Sequence, residues 1–205
     1  AGPVPVLPIV TSVAAVLLAA TVTTSVIVVK KLTSDTVFSP EVIDPNQKPA
    51  PPEKDQPDAV SYYLEKYRPE ILVVTGHDSL LKGAKDTESL DHYRSSLYFA
   101  EAVKKARLYQ PDRDALVIFA GACQSNYEAL MRAGANFASS PKRVFIHIFD
   151  PVLIIEKVAF ASIQEVVTAE EAVEGTVTGA DGIGGIETRG CFRRGYPNFT
   201  EAALR

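Results

Sequence analysis

The chain alternates between short uncharged apolar runs and longer segments with helical spacing. Ile71 to Val74 and Ala115 to Ala120 are apolar throughout, the pattern of strands buried on both faces. Residues 144–148, VFIHI, predict a third such strand. Between them, apolar positions recur every three or four residues. Val60, Tyr63 and Leu64 follow Pro57, which suits a helix's first turn. Phe99, Val103 and Ala106 form a stripe in a helix predicted from Asp91 to Tyr109. Ser125 and Glu128 have capping-box spacing for a helix that Gly134 stops, and 168–175, TAEEAVEG, repeats that signature. Asp150 and Pro151 mark one more helix start. Strand–helix alternation predicts an α/β fold of three layers, a mostly parallel sheet with helices on both faces.

Both central strands end alike: an apolar run, a glycine, then a chemically able side chain. The first gives Gly76, His77 and Asp78; the second gives Gly121, Ala122 and Cys123. Parallel neighbours would bring His77 and Cys123 to the carboxyl edge of the sheet, where α/β folds collect their ligands. A thiol nucleophile needs a base of this kind, and a nearby helix N-terminus favours the thiolate. The pair is 46 positions apart, near the interval of about 50 found in caspases. The expected chemistry is acyl transfer with His77 and Cys123 catalytic, and with oxyanion donors from Gly76, Gly121 and Ala122. Asp78, Asp181 and Glu187 are candidates for holding a basic substrate side chain. No cofactor or metal is expected. His147, inside the third apolar run, reads as a core histidine, and His92 as solvated. The glycines of 178–195 fit no phosphate-binding motif and read as a flexible loop near the site. The polar loop after His77, with Lys82, Gly83 and Lys85, is either a cover for the site or a solvated connection.

The ends of the chain differ in character. Residues 4–29 carry no charge and are followed by Lys30 and Lys31. A membrane anchor with the remainder cytoplasmic is one reading, and two buried strands would produce the same string. Residues 32–56 hold five prolines among polar residues, the composition of a linker. The organisation is then a hydrophobic segment over 1–31, a linker over 32–56, a catalytic domain over 57–195 and a tail over 196–205. The 205 residues suffice for one domain with a real core. A net charge of −4 argues against a nucleic-acid partner. Two cysteines, Cys123 and Cys191, in dissimilar contexts suggest free thiols.

The motifs GHD at 76–78, FAGACQS at 119–125, LMRAGANFASSP at 130–141 and GIGGIETRG at 182–190, with EKYRPEILVVTGHD from Glu65, resemble the sporulation-specific protease YabG family (U57). The resemblance covers about residues 51 to 195. It implies a cysteine endopeptidase that processes spore coat and cortex-related proteins, with Arg preferred at the cleaved position and the dyad on His77 and Cys123. Its setting would be the cytoplasm of the sporulating cell or the spore coat. The strand–His and strand–Ala–Cys pattern is also similar to the caspase, legumain and gingipain class, which implies a caspase-like or flavodoxin-like sheet. That class carries Gly directly after the His, where this chain has Asp78. Two other functions compete. Glutamine amidotransferases also place Cys at a strand–helix turn, but with His well downstream. An inactive α/β binding module attached to a membrane or spore layer needs no chemistry at all. Arg189, Arg193 and Arg194 are either self-processing sites or surface charge.

Overall fold

The computed structural model describes residues 26–29, 51–84 and 86–193. Its main sheet has five strands: β1 (Val26–Val29), β2 (Ile71–Val74), β3 (Val117–Ala120), β4 (Phe137–Ser139) and β6 (Ile183–Gly185), in the order β1-β2-β3-β4-β6. β2, β3 and β4 are mutually parallel, and the edge strands β1 and β6 run antiparallel. β5 (Val166–Val167) and β7 (Thr188–Arg189) form a separate ribbon.

The apolar runs bury both faces because strand side chains alternate. Leu72, Val74, Ile118, Ala120 and Ala138 pack under α1 (Gln56–Tyr67), α2 (Ser96–Tyr109) and α3 (Tyr127–Ala133), against Val60, Leu64, Phe99, Val103 and Leu130. Ile71, Val73, Val117, Phe119, Phe137 and Ile183 pack on the other face, against Val152, Ile154, Ile155 and Val158 of α4 (Asp150–Phe160). Burying each such side chain is worth about 1.5–3 kcal/mol. Two apolar layers on one sheet make the three-layer α/β architecture. α5 (Ala169–Val173) has the expected capping box between Thr168 and Glu171. α1 carries Pro57 in its first turn and ends at Arg68, whose φ of 45° turns the chain ahead of Pro69.

Four sequence expectations change. The third parallel strand is Phe137–Ser139, not 144–148. Gly134, at φ 115°, ends α3, and the chain enters the sheet within three residues. Asn136, fully buried, extends the edge: its Oδ1 accepts the Ile118 N–H at 3.0 Å and Arg107 Nη2 at 2.7 Å. The 144–148 run instead lies in a loop with Phe145, His147 and Ile148 exposed, so His147 is not a core residue. The long helix begins at Ser96, after a separate 3-10 turn at Leu90–His92. The glycine-rich stretch is ordered: α6 (Gly179–Gly182) leads into β6. A Cβ on Gly184 would strike the Tyr127 ring, and one on Gly185 the Phe137 ring, so close packing rather than flexibility selects glycine there.

The last four residues of the uncharged N-terminal run pair with β2. The rest of that run, and the linker up to residue 50, lie outside the described residues. Among the described residues no helix is long and apolar enough to cross a membrane. The fold already includes the end of the proline-rich segment, because a 3-10 turn at Glu53–Asp55 runs directly into α1.

Candidate active site

The register of β2 and β3 sets the geometry. Val74 pairs with Ala120, so His77 and Cys123 each lie three residues beyond the last paired position, at the carboxyl edge. The two loops are tied together. Gly121 N–H donates to Val74 O at 2.9 Å, and Thr75 Oγ1 donates to Gly121 O at 2.8 Å.

Three serines grip the turn that carries Cys123. Ser125 Oγ accepts the Ala122 N–H at 2.9 Å, Ser139 Oγ donates to Ala122 O at 2.7 Å, and Ser140 Oγ accepts the Gln124 N–H at 2.9 Å. Gln124 is held at φ 56°, a conformation costing a non-glycine residue on the order of 1 kcal/mol. Gly121, at φ 104°, has no room for a Cβ, which would lie 2.4 Å from Ser139 Oγ. Cys123 itself is partly exposed, with Sγ 3.8 Å from Ile146 O.

Ser125 is therefore a clamp rather than a helix cap. The cap falls one residue later, where Asn126 Oδ1 accepts the Ala129 N–H at 3.1 Å. Glu128, expected in the capping box, instead pairs with Arg143. Burial disfavours the charge of Glu128, but the Arg143 hydrogen bond and charge outweigh it and hold the carboxyl below its ordinary range. Arg143 Nε also donates to the Tyr93 hydroxyl at 2.6 Å.

Asp78 is 6% exposed and accepts four hydrogen bonds. Oδ1 takes the N–H groups of Ser79 and Ser95, each at 2.8 Å. Oδ2 takes the hydroxyls of Ser96 and of Ser125, the latter at 2.9 Å. Ser96 Oγ in turn accepts the Asn126 N–H at 2.8 Å. Two serine relays thus run from the residue after His77 to the backbone on either side of Cys123.

His77 projects outward, its side chain 75% exposed. Among the described residues one carboxylate pairs with it. Glu53 Oε1 accepts the His77 N–H at 2.9 Å and lies 3.5 Å from Nδ1. Sequence reasoning missed Glu53, which falls inside the proline-rich segment. No local signal marks it, and only the fold shows that Gly76 leaves it room, since a Cβ there would lie 2.7 Å from Glu53 Oε1.

The other expected site residues separate. The N–H groups of Gly121 and Ala122 already serve Val74 O and Ser125 Oγ, so neither is free to meet an oxyanion. Among the described residues the N–H groups of Gly76 and Cys123 meet no acceptor. Asp181 is exposed at the same sheet edge as Cys123, since Ser139 pairs with Ile183 and the Asp181 carbonyl accepts the Lys142 N–H at 3.2 Å. Glu187 is exposed at the opposite edge, beyond the end of β6. His147 shares the loop that meets Cys123, and its Nδ1 accepts the Phe149 N–H at 3.3 Å.

Cys191 is unlike Cys123. It is 5% exposed, at a cavity of about 490 Å³ that also touches Glu70, Asp114 and Arg193. Glu70 immediately precedes β2, so this cavity opens at the far edge of the sheet. Burial pushes the Cys191 thiol up to about 11, with the Glu70 charge acting in the same direction.

A free thiol and an imidazole thus end adjacent loops at the carboxyl edge of an α/β sheet, the edge where such folds gather their ligands. The chain belongs to the YabG peptidase U57 family, whose model matches residues 45–197. It is similar to the sporulation-specific protease YabG of Bacillus subtilis (strain 168), 50% identical over 145 residues, which are 71% of this chain and 50% of that protein. The chain thus spans about half the length of the curated relative it matches. No solved structure matches the chain.

Proposed function

We propose that the chain is a cysteine endopeptidase of sporulation that cleaves spore coat or cortex-related proteins after Arg, through a Cys123–His77 dyad. The observation that carries this reading is the common register of His77 and Cys123 on neighbouring parallel strands. The family and the name of the relative support proteolysis and sporulation.

His77 takes the thiol proton and Cys123 Sγ attacks the carbonyl carbon of the scissile bond. The resulting oxyanion meets the N–H groups of Cys123 and Gly76. Collapse expels the amine, which leaves with the proton from His77, and an acyl-enzyme remains. Water, deprotonated by His77, then releases the acid and restores the thiol. Asp181 supplies negative charge for a basic side chain at this edge, a role that Glu187 cannot share from the opposite edge.

Cys123→Ala and His77→Ala each abolish cleavage of an Arg-containing coat protein without unfolding the domain. His147→Ala is the control, because an amidotransferase-like pairing would draw its histidine from downstream of the cysteine. Full activity in Cys123→Ala or His77→Ala, or its loss in His147→Ala alone, refutes the assignment.

A further inference from the structure

We propose that Glu53 is a positioning residue for His77, holding the imidazole with Nδ1 protonated and Nε2 open toward the thiol. The inference rests on the dyad reading above.

Three observations converge on it. Glu53 Oε1 contacts His77 twice, accepting its backbone N–H at 2.9 Å and standing 3.5 Å from Nδ1. An anion beside Nδ1 selects the tautomer that carries its proton there, which leaves Nε2 as the acceptor. Catalytic hydrogen bonds are often longer before substrate binds than after, so 3.5 Å is a poised separation. Second, Gly76 makes room: a Cβ would lie 2.7 Å from Glu53 Oε1 and 2.9 Å from its Cγ. Third, the segment bearing Glu53 is fastened to the same loop at a second point. The buried Gln56 donates from Nε2 to Thr75 O at 2.9 Å, and Thr75 Oγ1 reaches the Cys123 turn through Gly121 O. The Glu53 side chain is only 19% exposed although His77 is open to solvent. The carboxylate is thus shielded from solvent beside an open imidazole, and it is the charge that orients the ring.

The role generalises the third member of a nucleophile–base–orienter set. It predicts a change in rate at the chemical step and little change in substrate affinity. In the purified full chain, Glu53→Gln lowers kcat about ten- to a hundredfold, with KM within about twofold, and Glu53→Asp restores part of the loss.

A second readout does not depend on peptide cleavage. Nitrogen–proton correlation spectra of imidazole-labelled protein are recorded at about pH 8, where an ordinary histidine is neutral. They show His77 protonated at Nδ1 in the parent chain and a tautomer mixture in Glu53→Gln. A parent His77 protonated at Nε2, or a kcat for Glu53→Gln within twofold of the parent, overturns the inference and leaves the dyad standing. Retained cleavage in His77→Ala removes the dyad itself, whatever the tautomer.

Discussion

Replacing Asp78 tests whether the histidine and cysteine loops are one mechanical unit. In Asp78→Ala, four donors lose their acceptor. The Ser79 and Ser95 N–H groups belong to the backbone and cannot turn elsewhere. A buried donor left unpaired costs about 1–3 kcal/mol, and Ser95 is itself buried. The Ser96 and Ser125 hydroxyls can rotate, but each already accepts a backbone N–H, from Asn126 and Ala122, and loses a charge-assisted bond. Taken together the loss is about 4 kcal/mol. That is a large share of a domain stability of roughly 5–15 kcal/mol. Asp78→Asn is the informative second variant. Its remaining oxygen still serves Ser79 and Ser95, while its amide forces two hydroxyls to surrender their acceptor, a loss of about 2 kcal/mol. Urea unfolding followed by far-ultraviolet circular dichroism gives both values. In folded Asp78→Asn, the rate of Cys123 alkylation by iodoacetamide reports the looser turn and changes severalfold. Stability of Asp78→Ala within about 1 kcal/mol of the parent, or an unchanged alkylation rate in Asp78→Asn, would refute the coupling.

Three further outcomes rest on the same structure. At neutral pH iodoacetamide modifies Cys123 and spares Cys191, whose thiol is held near 11 by burial. An unfolded thiol ionises near 8.5, so the folded state loses stability between about pH 8.5 and 11, by at most about 3 kcal/mol, and nothing below that window. Cys191→Ala should flatten this alkaline limb in a pH series of urea midpoints. Asn136→Ala removes acceptors from Ile118 N and Arg107 and donors to Arg113 O and Thr188 Oγ1, and should cost about 3 kcal/mol in urea unfolding.

The parts of the fold legible in the sequence were those where hydrophobicity alone decides. Ile71 to Val74 and the run ending at Ala120 are buried on both faces, and no other arrangement hides them from water. The third strand was not legible, because Asn136 and two serines sit where apolar residues would signal a strand. Asn136 earns its place by side-chain hydrogen bonds, and Ser139 and Ser140 by gripping the cysteine turn. VFIHI had the stronger strand pattern, yet three of its five residues face solvent, in the loop beside Cys123. Polar residues with tertiary duties thus read locally as loop, and exposed apolar residues near a site read as strand.

The same limit applies at the site. The place of His77 and Cys123 at the carboxyl edge was legible because each follows an apolar strand within three residues, across a glycine. Glu53 was not, since its partner lies 24 positions away and prolines surround it. Asp78 was expected to face substrate, and its four acceptor contacts come from segments 1 to 47 positions distant. Which N–H groups remain open at this edge depends on those the fold has already engaged, as at Gly121 and Ala122, and only the folded backbone determines that.

The most direct measurement of the dyad is covalent trapping. An Arg-terminated peptidyl chloromethyl ketone is incubated with the full chain, and the adduct is located by peptide mass spectrometry. The account predicts one equivalent on Cys123, formed far more slowly in His77→Ala. Labelling of Cys191, or labelling of Cys123 at the same rate without His77, would contradict it.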